Sequence, residues 1–322
     1  MNGTSVIRSG LESMGLPRGD LLSCPDSHKR FPDGAQFRVE IPSTEGPDGL
    51  WAVLEEARRM EVRVHRVSQG SGVLLMTDKE LDRMAEMAVE AQVEVSLFTR
   101  PNAAWGVSAM VRSTAGGVAA AVSHGQEQLV ACLEDARRAA EHGFRSVLIA
   151  DLGVLAAFHG LRQSGVLPSD MQAKVSVMLP VANAAAARVV EQLGASTINV
   201  ATDLTLPQLA AIRAAVSIPL DVYVEAPDNL GGFVRLHEIP EIIRVASPVY
   251  IKFGLRNAPD IYPSGSHLNA IAVELSRERV RRARLGLEVL ERSQMAATTS
   301  ELGAAGLAVP AVSRGARGRA GA

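Results

Sequence analysis

Residues 220–256, LDVYVEAPDNLGGFVRLHEIPEIIRVASPVYIKFGLR, decide the fold. Their pattern predicts two short strands, Leu220 to Glu225 and Val249 to Phe253, joined by a glycine turn and a helix over residues 233–245. Apolar and polar side chains alternate along both strands, so each strand has one apolar face and one polar face. The polar face carries Asp221, Tyr223 and Glu225 in the first strand, and Tyr250 and Lys252 in the second.

This alternation is unusual for an α/β protein, because helices normally cover both faces of its strands and make both faces apolar. Two neighbouring strands that each carry ionisable side chains on one face need a special interior. The inside of a (β/α)8 barrel near its C-terminal mouth provides one, since enzymes with this fold keep their chemistry there. The stretch therefore predicts a TIM barrel.

The rest of the chain repeats the alternation of strand and helix. Six further strands are predicted at residues 37–41, 64–68, 93–99, 146–150, 174–179 and 197–201. Helices are predicted between them, one of which begins with a capping box at Thr77 and Glu80, and residues 273–290 supply the eighth helix. We therefore expect one (β/α)8 barrel over residues 37–291.

Two segments flank this barrel and one interrupts it. Residues 1–36 are rich in Gly, Pro, Ser and Asp, which predicts an irregular arm. Residues 292–322 are rich in Ala, Gly and Arg and are expected to form a disordered tail, because they bury too little apolar surface to offset the entropy of ordering. Residues 101–123 form a connection longer than most, which makes them a candidate lid.

Composition excludes several classes of protein. The chain has 322 residues, 47% of them hydrophobic, and a formal net charge of -2, which argues against a nucleic-acid binder with a basic surface. No apolar run approaches the roughly 20 residues of a membrane span, and the N-terminus lacks a signal-peptide pattern. The two cysteines, Cys24 and Cys132, suit a cytoplasmic protein better than a disulfide framework.

Polar residues accumulate at the ends of the predicted strands, where the mouth of the barrel would lie. They are Glu40, His65 or Arg66, Arg100, Asp151, Asn199, Glu225 and Lys252, with Asp228, Arg256 and His267 on the loops beyond. A barrel interior filled only for stability would use branched apolar residues. The set therefore predicts a pocket, although interior ion pairs that fix the strand register would account for some of its members.

Several chemistries remain open for this pocket. Lys252 suits either a Schiff-base amine or a fixed cation that holds a substrate carboxylate. A neighbouring Glu225 favours the second role, because a carboxylate stabilises the charged ammonium. Glu40, Asp151 and Glu225, with His65, are alternatively oxygen and nitrogen ligands for Mg²⁺ or Mn²⁺. The pair Gly231 and Gly232 lies where many barrels bind phosphate, although a simple turn explains it as well.

Residues 145–253 resemble the peptidase U32 family, the collagenase-like proteins. The resemblance rests on VVEQLGASTINVATDLTLPQLAAIRAAVSIPLDVYVEA and, more weakly, on RSVLIADLGVL. It implies a barrel with a pocket at its mouth. The family places a histidine and cysteines just after this strand, where this chain has residues 225–228, EAPD. Family members that hold an iron–sulfur cluster use four cysteines, whereas this chain has none after Cys132, so we expect no such cluster.

The sequence leaves three functions open. The first is an enzyme that acts on a small anionic metabolite by proton transfer, of lyase, aldolase or isomerase type. Arg66, Arg100, Lys252 and Arg256 would hold the anion, Glu225 or Asp151 would act as the base, and Glu40, Asn199 and Asp228 would complete the substrate site. The second is a metal-dependent peptide or amide hydrolase, as the family resemblance implies. The third is a non-catalytic binding barrel or complex subunit.

Further expectations concern partners and the central ion pair. A small molecule is the expected partner, neither nucleic acid nor membrane is expected, and homo-oligomerisation is left open. We also expect Lys252 and Glu225 to face the mouth from adjacent strands and to pair with each other.

Overall fold

The computed structural model describes residues 3–100 and 121–311. Eight strands are present: β1 Phe37–Pro42, β2 Arg66–Ser68, β3 Glu94–Phe98, β4 Ser146–Ile149, β5 Gln172–Val175, β6 Thr197–Asn199, β7 Leu220–Glu225 and β8 Val249–Phe253. The α-helices are α1 Gly3–Ser13, α2 Gly46–Arg59, α3 Asp78–Ala91, α4 Gly125–Glu141, α5 Leu152–Gln163, α6 Ala184–Gln192, α7 Leu206–Ala215, α8 Ile239–Ala246 and α9 Asn269–Arg292. Short 3-10 helices occupy Val73–Leu75, Asp228–Leu230, Leu236–Glu238 and Ser266–Leu268.

The eight strands close into a barrel in chain order, and every neighbouring pair is parallel. The predicted (β/α)8 fold is therefore confirmed, and the predicted bounds of β7 and β8 agree with those observed. Strand β5 is shorter than predicted. It ends at Val175 because Ser176 begins a turn, in which its carbonyl accepts from Leu179 and its hydroxyl from Met178.

The two faces of the barrel wall differ in chemistry. The apolar residues of the strands, such as Ile41, Val147, Ile198 and Phe253, pack outward with the helices into one large hydrophobic core. The alternate residues point inward and are largely polar or charged. Helix α9 packs mainly on α2 and also contacts β8 and β1, which brings its first half to the mouth beside these two strands.

The N-terminal end of the barrel is covered by residues 293–311, for which the sequence predicts disorder. These residues contain no helix, but Thr299 bridges to Phe37 and the backbone N–H of Ala308 donates to Glu94 in the interior. Composition misled the prediction for these residues, because this Ala- and Gly-rich segment is held by hydrogen bonds to the buried charged residues Arg38 and Glu94. Residues 312–322 lie outside the described part of the chain.

The N-terminal arm is only partly irregular, since it contains α1. This helix was not predicted because tertiary contacts hold it: Leu11 packs on the core, and Arg188 donates to the carbonyl of Met14 at 2.7 Å. Of the predicted lid, residues 101–120 lie outside the described residues. No helix in the described ranges is both long and apolar enough to cross a membrane.

Candidate active site at the barrel mouth

A cavity of about 500 Å³ opens at the carboxyl ends of the strands. Lys252 and Asn199 lie at its floor, and the loops after β7 and β8 form much of its wall. The ionisable side chains that line it are Arg100, Tyr223, Asp228, Lys252, Asp260, Tyr262 and Arg279. This is the end of the barrel where the sequence predicts a pocket.

A network of buried charges fills the barrel below this floor. Glu40 on β1 is fully buried and contacts Arg66, Lys174 and Lys252 from three other strands. Asp221 on β7 lies 2.6 Å from Arg66 and 2.9 Å from Lys174. Burial raises the pKa of Glu40, but the three cations outweigh burial and hold this pKa well below its ordinary value.

Lys252 forms the upper end of this network. Its Nζ atom lies 3.3 Å from Oε1 of Glu40 and 4.3 Å from the ring centroid of Tyr223. With its amide oriented to satisfy both partners, Asn199 accepts from Nζ at 2.8 Å and donates to the carbonyl of Asp221 at 3.2 Å. Because Glu40 also serves two other cations, its charge is shared, and the ammonium group stays only partly neutralised at the pocket floor.

Lys174 lies one layer deeper and was not among the predicted site residues. Burial and the nearby Arg66 guanidinium lower its pKa to about 7. Its neighbours on β5, Ala173 and Val175, belong to the outer hydrophobic core. The alternation of apolar and polar residues along β5 was therefore the signal that placed Lys174 inside, as it was for Asp221 on β7.

Two predicted substrate-binding residues line the wall of the pocket. The guanidinium of Arg100 packs over the ring of Phe98, 4.4 Å from its centroid, and burial lowers the pKa of Arg100 to about 10. Asp228 lies on the loop after β7, where it contacts Nε of the half-exposed Arg256 at 3.2 Å. Glu40 and Arg66, also predicted to bind substrate, lie in the closed network beneath Lys252 instead.

The expected ion pair between Lys252 and Glu225 is not formed. Tyr223, not Glu225, is the residue of β7 that lies opposite Lys252, and a bulge between Tyr223 and Glu225 places Glu225 opposite Phe253. The carboxylate of Glu225 accepts from the backbone N–H of Arg256 at 2.9 Å, and its Oε2 lies 3.8 Å from Nε of Arg282 on α9. Glu225 does not belong to the pocket lining.

Asp151, the other predicted base, has a structural task. Its carboxylate caps α5 by accepting from the backbone N–H of Val154 at 2.8 Å, and it also accepts from Ser123 at 3.1 Å. The end of β4 therefore positions Asp151 at a helix N-terminus, outside the described pocket lining.

The predicted set of metal ligands does not come together. Glu40 is held in the interior network, Asp151 caps α5, and Glu225 bonds to the loop after β8. His65 lies on the other end of the barrel, where Nδ1 accepts from Val39, Nε2 donates to the carbonyl of Ser300, and burial lowers its pKa to about 4. Among the described residues, no three His, Cys, Asp or Glu side chains are arranged to hold a metal ion.

Arg279 and Tyr262 are pocket residues that the sequence reasoning missed. Arg279 lies on α9 and is 5% exposed, and Tyr262 donates to Oγ of Ser43. A side chain at Gly70 would collide with the Tyr262 ring at 2.4 Å, so the close packing of this wall requires glycine there. Arg279 falls on the buried stripe of α9, with Ala272, Ser276, Ala283 and Gly286, and a cation at that spacing was the available signal.

Comparisons with known proteins agree with the sequence resemblance. Residues 112–226 match the family model of peptidase family U32. A solved U32 peptidase shares 19% identity and a TM-score of 0.39, over 64% of this chain and 74% of its own. An octameric ribulose-1,5-bisphosphate carboxylase/oxygenase from Pyrococcus horikoshii shares 9% identity and a TM-score of 0.43, over 80% of this chain and 64% of its own. No curated protein matches the sequence.

The matched residues place this similarity on one side of the barrel. They contribute β4 to β7, including Asp151, Asn199 and Glu225, whereas Lys252 and Arg279 follow the matched segment. The pocket floor is thus assembled from the matched part of the chain and from strands outside it.

Proposed function

We propose that this protein is an enzyme that binds a small anionic metabolite at the barrel mouth and acts on it by proton transfer, as lyases, aldolases and isomerases do. The observation that carries the proposal is the buried ammonium group of Lys252 at the floor of a cavity of about 500 Å³. A volume of this size suits a small molecule rather than a macromolecule.

The charges around the pocket favour an anion. Lys252, Arg100 and Arg279 are all buried in its lining, while Asp228 and Asp260, the carboxylates among the described lining residues, lie on the outer loops. A cation away from bulk water interacts strongly with an opposite charge, because the surroundings screen it weakly. An incoming carboxylate or phosphate would therefore gain most at the deep end of the pocket.

Lys252 acts in this proposal as a fixed cation. Its contact with Glu40 at 3.3 Å holds Nζ at the pocket floor, where an ion-paired lysine suits a fixed cation that binds a substrate carboxylate. An ammonium at the substrate carboxylate withdraws charge from the neighbouring carbon and stabilises the enolate formed when that carbon loses its proton. Asn199 fixes the position of Nζ from the neighbouring wall.

The base in this reaction is Asp228. Its loop contributes to the pocket lining, and its carboxylate is oriented by Nε of Arg256 and the backbone N–H of Asn257. In the proton transfer, the carbon–hydrogen electron pair stays on the substrate as the enolate, and the proton passes to Asp228. The proton then returns to the same carbon or to a different atom, which gives isomerisation, or a leaving group departs, which gives elimination.

The experiment combines binding with isotope exchange. A panel of small carboxylates and phosphates is screened by thermal shift, and the acids that bind are incubated with the protein in D₂O and followed by NMR. We expect deuterium to enter the carbon next to the carboxylate, and Asp228→Asn to bind the acid without exchange. Binding with no exchange in the wild type would contradict the enzymatic role and favour a binding barrel.

A second candidate, hydrolysis of a peptide or amide, is favoured by the family match at residues 112–226. Such a reaction needs an activated water, which in this chain would require a bound metal. Metal analysis of the purified protein together with a peptide-cleavage assay separates the two candidates. Stoichiometric Zn²⁺ or Mn²⁺ and cleavage that a chelator abolishes would replace the first proposal with the second.

A further inference from the structure

Arg279 lies in the pocket wall with most of its hydrogen-bonding capacity unused. It is 5% exposed, and Nη1 donates to the carbonyl of Ser43 at 3.2 Å. Its buried Nε atom has no hydrogen-bond partner among the described residues. A guanidinium carries five N–H donors in a planar fork, so this side chain retains donors for another group.

The charge of Arg279 also lacks a direct counterion among the described residues. None of the ion pairs within residues 3–100 and 121–311 involves Arg279, and burial lowers its pKa from the ordinary value. The ionisable groups that face it are Tyr262, Tyr223, Glu45 and Glu225. A buried cation without a paired carboxylate is costly, and folded proteins keep one mainly where a partner arrives later or where other bonds compensate.

Glu45, the carboxylate that acts most strongly on the charge of Arg279, is committed elsewhere. It accepts from the backbone N–H of Gly70 at 2.7 Å and from that of Ser71 at 3.2 Å. Burial raises the pKa of Glu45 despite these bonds. Its role is to hold the turn after β2, and it offsets the charge of Arg279 only from a distance.

Tyr223 lines the same cavity as Arg279 and Lys252 and interacts with both. The ring of Tyr223 lies 4.3 Å from Nζ of Lys252, and Arg279 acts electrostatically on the hydroxyl end of the same residue. Both cations line the same cavity. A ligand that occupies this cavity would therefore have a cation available for an anionic group at each of two places, Lys252 and Arg279.

We infer that Arg279 is a second anion subsite, and that the substrate carries an anionic group at each end, as a dicarboxylate or a phosphorylated hydroxy acid does. This inference rests on the proposed function, because it assumes that Lys252 holds the first anionic group. The open fork of Arg279 suits bidentate binding of a carboxylate or phosphate.

The test compares matched ligands that differ in one anionic group. Dissociation constants for glycolate and 2-phosphoglycolate, and for butyrate and succinate, are measured by calorimetry on the wild type, Arg279→Gln, Arg279→Lys and Lys252→Met. Arg281→Gln is the control, because Arg281 lies on the same helix, is exposed and pairs with Glu278 at 3.0 Å. Inorganic phosphate is included as a probe that needs a single cation.

For at least one pair, we expect the wild type to bind the dianion about tenfold or more tightly than the monoanion, which corresponds to about 1.4 kcal/mol. Arg279→Gln should abolish this preference by weakening the dianion much more than the monoanion, Arg279→Lys should keep part of it, and Arg281→Gln should keep all of it. If Arg279→Gln does not fold, the loss of preference in Arg279→Lys decides the question.

Two outcomes separate this inference from the proposed function. Monoanion binding that requires Lys252, without any preference for either dianion, would overturn the subsite and leave the proposed function standing. Phosphate binding that requires Arg279 but not Lys252, without monoanion binding, would support the subsite and overturn the role of Lys252. If Arg279→Gln weakens both members of a pair equally, Arg279 only positions the wall, and the inference is wrong.

Discussion

An arginine is buried at each end of the barrel, and the two arginines differ in how many hydrogen bonds they form. At the N-terminal end, Arg38 donates from Nε to Ser300 at 2.8 Å, from Nη1 to Tyr250 at 3.2 Å and from Nη2 to the carbonyl of Ala305 at 2.7 Å. It also packs 4.0 Å from the ring centroid of Phe31. At the C-terminal mouth, Arg279 has a single hydrogen bond among the described residues, to Ser43.

The difference shows what each end does. Residues 293–311 supply two of the three hydrogen-bond partners of Arg38, so the chain itself completes that end, and its buried charges stabilise the fold. At the mouth, the buried cations border an open cavity, and the chain leaves donors of Arg279 without partners in its described part. Buried charge that a protein does not satisfy internally is a sign of a ligand site.

The charge network between the two ends should produce the largest effect on stability. Glu40→Gln would leave Arg66, Lys174 and Lys252 without the carboxylate they share, at a cost of about 3–5 kcal/mol in the free energy of unfolding. Urea denaturation measures the loss. Glu241→Gln is the control, because Glu241 forms an ion pair with Arg244 at the surface and should cost less than about 1 kcal/mol. Equal losses of stability in the two variants would mean that the buried cations do not depend on Glu40.

A direct comparison of the two arginines should give the next largest effect. Arg38→Met should destabilise the protein by about 3 kcal/mol, because Ser300 and the carbonyl of Ala305 lose their partner in a buried site. Arg279→Met should be close to neutral without ligand, since it removes a buried charge that has no ion pair in the described chain. Thermal and urea unfolding of both variants measures these changes. Similar losses of stability would mean that the two ends of the barrel do not differ in the role of their buried arginine.

Lys174 makes stability depend on pH. Its pKa of about 7 in the folded protein lies below the ordinary value of 10.5, so between these pH values the unfolded state binds more protons than the folded state. The contribution of Lys174 to stability should therefore rise with pH from about 7 to 10, and its penalty is fully present below pH 7. Urea unfolding of the wild type and Lys174→Met across this range should show the rise only in the wild type. If the stability of both proteins changed with pH in the same way, the lowered pKa of Lys174 would be contradicted.

The smallest effect is expected at Asp151. Asp151→Ala removes the N-cap of α5 and should cost about 1 kcal/mol. Because the carboxylate caps a helix outside the described pocket lining, binding of small acids should not change. A loss of ligand affinity larger than the loss of stability would return Asp151 to the candidate catalytic residues.

The sequence predicted the barrel well, because the alternation in β7, β8 and the other strands reflects a physical boundary between an apolar outside and a charged inside. It failed where local pattern does not decide the outcome. The register that places Tyr223 rather than Glu225 opposite Lys252 depends on the pairing of two strands, and the contacts of residues 293–311 depend on a buried arginine distant in sequence. Long-range contacts of this kind produce no periodic pattern in the sequence.

The most direct test of the account is the binding of small acids to wild-type protein and to Lys252→Met, measured by thermal shift at equal ligand concentrations. We expect at least one carboxylate or phosphate to raise the melting temperature of the wild type in proportion to the logarithm of its concentration, and the same acid to have no effect on Lys252→Met. An equal response of the two proteins would contradict the central claim, because the acid would then bind without the cation at the pocket floor.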